Sequence, residues 1–209
     1  MYIVYNGERE NMKKIQYKIK RAFDFGFSVL MLTLFFPFFL IISIVIKADG
    51  GSVFFLQDRI GKKGKKFKMI KFRTMIENAE NLGDGLIVRD ESDSRITKFG
   101  RFMRKTSLDE LPQLINIIVG DMSIVGPRPP VVYHPYNGYK NYPDWAKKRF
   151  EVKPGITGLA QVKVRNSATW EDRMKLDKQY VEKFSLWMDV KIMFLTIRAM
   201  FYKETFTGE

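Results

Sequence analysis

Hydrophobic positions are spread very unevenly along this chain. The run from Phe25 to Ile46 carries no charge and is apolar almost throughout. That is long enough for a bilayer core of ~30 Å, which about 20 helical residues cross. Phe35, Phe36, Phe38, Phe39 and Leu40 leave it no polar face, so it does not read as the amphipathic helix of a soluble core. Pro37 removes one backbone hydrogen bond and crowds the preceding turn, which predicts a kink there. The carbonyl freed near Thr33 then needs a partner, and the nearest hydroxyl is that of Thr33 itself.

Beyond the run the pattern changes character. Ser52 to Gln57 is apolar and β-like, Arg59 to Lys66 reads as a basic turn, and Phe67 to Thr74 alternates with period two, as a strand does. A hydrophilic stretch through Ser94, with Gly83 and Gly85, predicts a surface loop. Helical spacing follows over Ile96 to Lys105, then over Ser107 to Val119 up to Gly120-Asp121. Ser123 to Pro130 must be extended or turned, because Pro127, Pro129 and Pro130 fall close together. Trp145 to Glu151 predicts a short helix, Pro154-Gly155 and Gly158 predict loops, and Trp170 to Lys183 and Leu186 to Tyr202 are the last helices. The final one mixes Trp187, Met188, Phe194, Leu195, Phe201 and Tyr202 with Lys191 and Arg198, a composition suited to a membrane interface.

Charge changes the picture of the apolar run. Lys13, Lys14, Lys18, Lys20 and Arg21 precede it. Lys47, Arg59, Lys62, Lys63, Lys65, Lys66, Lys68, Lys71 and Arg73 follow, with only Asp49 and Asp58 against them. Basic flanks stay on the cytoplasmic side, so a simple span is basic at one end only. Basic flanks at both ends, with Pro37 between, predict a re-entrant helix that enters and leaves by the cytoplasmic face. A full span stays open, since long downstream domains override the charge rule. A cleaved signal peptide fits poorly, because Lys47-Ala48-Asp49 is no small-residue cleavage site. The predicted organisation is a flexible N-terminus over 1–16, a membrane helix over 17–48, a catalytic domain over 49–203 and a tail over 204–209. The fold class is α/β, mainly helical, with a compact domain and interfacial amphipathic helices.

The chain of 209 residues has a formal net charge of +13, which favours anionic partners: lipid headgroups, nucleotides, nucleic acid or phosphorylated lipids. It has no cysteine and one histidine, His134. Disulfides, thiolate metal sites and histidine-rich metal sites are therefore excluded, and chemistry must run on carboxylates and Lys/Arg, with or without a divalent ion. His134 reads as a surface or packing residue.

Four constellations offer that chemistry. In Arg104-Lys105-Thr106-Ser107-Leu108-Asp109-Glu110, two adjacent acids sit about one turn from two cations. Ser107 and Glu110 also match an S-x-x-E capping box, although Pro112 would then lie past the first turn. Read as chemistry, the same segment offers a phosphate site and a carboxylate able to attack phosphorus or hold a divalent ion. Gly126-Pro127-Arg128-Pro129-Pro130 is either a rigid surface turn or a fixed guanidinium suited to a phosphate. Lys71 and Arg73 share one strand face, solvated in the ordinary case. Lys153 to Val162 is glycine-rich but lacks dinucleotide or Walker spacing, so it is weak alone as a phosphate cradle.

Taken in order, the membrane run, KFRTM (71–75), SLDELPQL (107–114), GDMSIVGPRP (120–129) and KPGITGLAQV (153–162) closely resemble the bacterial sugar transferases, in particular the monotopic phosphoglycosyl transferases. The resemblance covers about Lys20 to Phe201. It implies transfer of sugar-1-phosphate from a UDP-sugar to polyprenyl (undecaprenyl) phosphate, with release of UMP and use of Mg²⁺. It makes Asp109 the nucleophile that carries a phosphosugar, with Glu110 beside it as the partner acid at the metal. Arg104 matches the arginine that meets the lipid phosphate and Arg128 that of the Pro-Arg-Pro turn. Lys71, Arg73, Lys153 and Gln161 join them as substrate-binding positions.

The chain departs from the best-known members in having Phe36-Pro37 where they have Ser-Pro, and Lys153 where they have Arg. The implied location is the cytoplasmic face of the inner membrane, with anionic phospholipid as a neighbour and no nucleic acid as partner. The oligomeric state stays open, a homo-oligomer included. A glycosyltransferase releasing UDP, or a membrane-anchored basic binding module without catalysis, are the competing expectations.

Overall fold

The computed structural model describes residues 2–82, 93–164 and 168–201; Gly83 and Gly85 of the expected loop lie outside them. Helix α1 runs over Tyr2–Leu34 and α2 over Phe36–Ala48, bent by 63° at the break between them. The helix thus begins at Tyr2, ahead of the expected start at Tyr17. Among the described residues no single helix is long and apolar enough to cross a bilayer; the bent pair, taken together, has the length and composition for it.

Pro37 does not interrupt a continuous helix but stands in the first turn of α2, where a missing N–H costs little. The Thr33 hydroxyl donates to Val29 O at 3.0 Å, one turn back, rather than serving its own freed carbonyl. Phe39, Ile42 and Ile46 bury one face of α2, while Leu30, Leu34, Phe36, Phe38, Ile41 and Ile44 are exposed around the bend.

Strands β1 (Phe54–Ile60) and β2 (Lys66–Phe72) form an antiparallel hairpin with Phe54 opposite Phe72 and Ile60 opposite Lys66. The basic turn expected over Arg59 to Lys66 is therefore shorter, because Arg59, Ile60 and Lys66 are drawn into the ladder. Helix α3 (Lys98–Thr106) follows, and α4 (Gln113–Val119) is launched by Pro112 and stopped by Gly120 at φ 98°. The single helix expected over Ser107–Val119 is broken. Ser107 takes φ 58°, ends α3, and makes no side-chain cap, so the capping-box reading is overturned. A 3₁₀ turn over Leu108–Glu110 fills the gap.

Strand β3 (Ser123–Val125) pairs in parallel with β4 (Gly155–Thr157). The glycine-rich stretch is thus a short strand leading into α6 (Leu159–Val164), not a loop. A Cβ on Gly155 would lie 2.1 Å from Gly126 N, so both strands need glycine where they touch. Between them lie α5 (Asp144–Lys147) and a 3₁₀ turn over Lys148–Glu151. Helices α7 (Trp170–Glu182) and α8 (Leu186–Phe201) close the domain. On α8, Trp187, Val190, Phe194 and Ile197 form an exposed apolar stripe opposite buried Asp189 and Ile192.

The membrane-type helix is a wall of this domain rather than an appendage. Met31 and Leu32 pack on the cluster of Phe67, Met69, Leu114, Ile117 and Met122. Lys20 Nζ donates to Asp189 Oδ2 at 2.6 Å, and Tyr180 Oη donates to Asp189 Oδ1 at 2.8 Å. Asp24 accepts from Ser123 Oγ at 2.7 Å and from Ile124 N at 3.2 Å. Arg21 donates to the carbonyls of Ile117 and Ile118, closing the C-terminus of α4.

Candidate active site

The Asp109-Glu110 pair sits on the 3₁₀ turn between α3 and α4, and its flanking Leu108 and Leu111 pack on the Phe39, Ile42, Ile46, Phe72 and Met103 cluster. Burial of those leucines fixes the turn, so the carboxylates project from a packed base. Asn116 locks this base to the hairpin: its Oδ1 accepts from Ile70 N at 3.0 Å and its Nδ2 donates to Lys68 O at 2.8 Å. That clamp brings Lys71 of β2 against the turn.

Lys71 Nζ donates to Glu110 Oε1 at 2.7 Å, and Arg128 donates to the same oxygen at 3.3 Å. Burial opposes charge on Glu110, but Arg128 and Lys71 outweigh it and hold its carboxyl at about 2. Asp109 is 8% exposed and differently placed. Burial pushes its carboxyl above the usual carboxylate range; Lys71 and Arg104 pull it down and Glu110 pushes it up, and the net shift is upward. Burial also lowers the Lys71 ammonium, with Arg128 adding to this and Glu110 and Asp109 opposing it. The result is a committed carboxylate, Glu110, beside a more basic one, Asp109. A carboxylate of raised basicity among cations is suited to attack on an electrophile that carries negative charge.

Arg104 reaches this site from the last turn of α3, its Nε donating to Thr74 Oγ1 at 2.8 Å. The predicted residues Asp109, Glu110, Lys71, Arg104 and Arg128 are thus brought together. Three others are placed elsewhere. Arg73 is buried and donates to Ile46 O at 3.0 Å and to Gly50 O, so it closes the C-terminus of α2. Lys153 has Arg21, Lys62, Asp24 and Asp121 as its charged neighbours, a separate group near the end of α4. Gln161 Nε2 donates to Ile156 O at 2.8 Å, bracing β4. His134 packs edge-on against Trp170 at 5.3 Å between ring centres, the packing role expected of it.

Sequence reasoning missed Arg59, Arg149 and Asp177, which surround the Pro-Arg-Pro turn. Arg149 and Asp177 form an ion pair at 2.8 Å with side chains 2% and 3% exposed. A signal was available in α7: Met174, Asp177, Tyr180 and Val181 recur at helical spacing on one buried face, so Asp177 is an acid on an apolar stripe.

Asp109 and Glu110 are a donor set of two hard oxygens. Among the described residues no group of three or more His, Cys, Asp or Glu could hold a metal. Two carboxylates suit Mg²⁺ where phosphates and water complete the shell, so the residues fit that ion as a substrate-dependent partner.

Comparison with known proteins identifies the family. The bacterial sugar transferase family model matches residues 15–203. The chain is 44% identical over 165 residues to "Galactosyl transferase CpsE" of Streptococcus agalactiae, covering 74% of this chain and 36% of that protein. It is 42% identical over 188 residues to "Uncharacterized sugar transferase EpsL" of Bacillus subtilis, covering 89% of each. It is 42% identical over 186 residues to "UDP-glucose:undecaprenyl-phosphate glucose-1-phosphate transferase" of Escherichia coli, covering 86% of this chain and 39% of that protein. The chain therefore spans well under half the length of several relatives and most of the length of others. With a match over nearly its whole length, and with the paired acids, the basic strand and the Pro-Arg-Pro turn gathered at one site, the chain belongs to the bacterial sugar transferase family.

Proposed function

We propose that this chain transfers sugar-1-phosphate from a UDP-sugar to polyprenyl phosphate and releases UMP, with the phosphosugar held in between on Asp109. The observation that supports this best is the division of labour in the acidic pair. Glu110 Oε1 is bound by Lys71 and Arg128, whereas Asp109 is buried beside them with its carboxyl made more basic. In the first step an Asp109 oxygen bonds to the β-phosphorus, and the bond from that phosphorus to the bridging oxygen breaks. The electron pair leaves with UMP. In the second step an oxygen of the polyprenyl phosphate bonds to the same phosphorus and Asp109 departs as a carboxylate, giving a polyprenyl diphosphosugar.

Arg128 and Lys71 would meet negative charge on the diphosphate, and Arg104, a charged neighbour of Asp109, would meet the lipid phosphate. Mg²⁺ would be held by Asp109 and Glu110 with phosphate oxygens, and would supply charge neutralisation at the diphosphate. An undecaprenyl-phosphate acceptor and a UDP-sugar donor are the substrates named for the Escherichia coli relative.

The bent α1–α2 pair, with its exposed apolar tip, supports a re-entrant insertion from the cytoplasmic face of the inner membrane. The apolar stripe of α8 would then rest at the interface beside anionic phospholipid. Incubating the purified chain with undecaprenyl phosphate and a panel of UDP-sugars tests the reaction. UMP release and a phosphosugar adduct on Asp109 are expected. Release of UDP would replace this reading with sugar transfer lacking the phosphate. Turnover insensitive to loss of Asp109 would end the covalent mechanism.

A further inference from the structure

The Pro-Arg-Pro segment has an unusual hydrogen-bonding problem. Three of the four residues from Pro127 to Pro130 lack a backbone N–H, so the turn cannot hold itself together. Its shape must come from groups that donate to its carbonyls. All four carbonyls are taken. Pro127 O accepts from Gly155 N at 3.0 Å and Pro130 O from Ile60 N at 3.0 Å. The two central ones are held by guanidinium groups: Arg128 O accepts from Arg149 Nη2 at 2.8 Å, and Pro129 O from Arg59 Nη1 at 2.9 Å.

Arg149 is in turn fixed by Asp177, through an ion pair at 2.8 Å that is almost wholly shielded from water. Burying that pair costs desolvation that its own attraction does not obviously return, so stability alone is a poor reason for it. Geometry supplies a better one. A series of contacts runs from Asp177 on α7 through Arg149 to the Arg128 carbonyl, and the Arg128 side chain then reaches Glu110 at 3.3 Å. Arg59 holds the next carbonyl from β1. Two buried or half-buried arginines thus set the pivot from which a third, half-exposed arginine reaches the acidic pair.

We propose that Arg59 and the Arg149–Asp177 pair are positioning residues that aim the Arg128 guanidinium at Glu110 and at the substrate phosphate bound there. None of the three needs to touch substrate. This rests on the phosphate-transfer reading of the site.

A double-mutant cycle isolates the effect. Arg59→Gln and Arg149→Gln are each made alone and in an Arg128→Gln background, with steady-state kinetics for the UDP-sugar and calorimetric binding of UDP as readouts. Each single variant is expected to raise KM for the UDP-sugar about tenfold, with a matching loss of UDP affinity. In the Arg128→Gln background the same change is expected to add less than about twofold, because there is no guanidinium left to aim. Arg59→Lys, which keeps a donor, is expected to recover most of the loss. Equal losses in both backgrounds would assign the arginines a merely structural role and overturn the proposal. Should Arg149→Gln unfold the chain, Arg59 on the edge hairpin carries the same test. Failure of the wild-type chain to release UMP, with the coupling still present in UDP binding, would sink the transferase reading and leave the positioning role supported.

Discussion

The Lys71 ammonium and the Glu110 carboxylate meet at 2.7 Å across a separation of 39 residues, joining the edge of the hairpin to the turn that carries both acids. Their side chains are 16% and 19% exposed, so the contact is shielded but not sealed. Removing one partner leaves the other charge poorly solvated. We expect Lys71→Met or Glu110→Gln alone to destabilise the fold by about 2 kcal/mol, below the range for fully buried pairs because some water reaches both groups. The double variant should lose less than the two singles together. Thermal unfolding in a membrane mimetic measures this, and strict additivity would mean the pair is not coupled.

Asp109→Asn should abolish turnover, by about three powers of ten or more, while the chain still folds and inserts. The buried position that raises the Asp109 carboxyl gives the substitution little reason to unfold the chain. Residual activity of a few per cent would contradict a nucleophilic role. The measurement is UMP release, with circular dichroism as the control for folding.

The same residue sets a pH dependence. As the proposed nucleophile, Asp109 would attack only when ionised, and its carboxyl is raised, chiefly by burial. Activity should therefore fall on acidification at a pH above the ordinary carboxylate range. Glu110, held at about 2, stays ionised through that window and should not contribute. A profile of kcat/KM against pH checks this; an acid limb lying at or below 3.8, the ordinary aspartate value, would show Asp109 to be unperturbed or not the reacting group.

Chelation should separate the roles further. If Mg²⁺ is held by Asp109 and Glu110 together with substrate phosphates, as proposed, excess EDTA should stop turnover and added Mg²⁺ should restore it. Glu110→Gln should raise the Mg²⁺ concentration needed for half activity. Full turnover in EDTA would remove the ion from the mechanism.

Arg73 gives a contrasting expectation. Its guanidinium closes the end of α2 through Ile46 O and Gly50 O and lies 3.6 Å from Glu77. Arg73→Ala should cost about 2–3 kcal/mol of stability, as for lost hydrogen bonds to a charged group. It should leave KM for the UDP-sugar unchanged in the folded fraction. A raised KM with unaltered melting would instead return Arg73 to the substrate site.

Much of this architecture was legible in the chain itself. The apolar run with Pro37 and the alternation over Phe67 to Thr74 carry local signals, since each follows from spacing or from proline geometry. The acid pair at 109–110 stands out by its resemblance to the family's motif, its spacing alone matching a helix cap equally well. What escaped was non-local. Ser107 matches a cap on paper, yet α3 ends there and turns its backbone to φ 58°, a choice made by the packing of Leu108 and Leu111 beneath. Arg73 and Lys71 share a strand face, but only contacts with α2 and with the catalytic turn separate their roles. Arg149 looks like an ordinary surface charge until α7 buries it against Asp177, whose place on an apolar stripe is the one local hint.

The way α1 and α2 are built into the domain limits how this protein can be handled. Phe39, Ile42 and Ile46 form one side of the cluster beneath the acid-bearing turn, and Lys20 and Asp24 partner Asp189 and Ser123. Trimming residues 1–48 to obtain a water-soluble fragment would strip the floor from under the turn that carries Asp109 and Glu110 and strand Asp189 without its cation. Nor could an unrelated lipid tail or transmembrane segment be grafted on in their place. Purification should carry the apolar helices along, in detergent or nanodiscs, because they share a single folding unit with the acid-bearing turn.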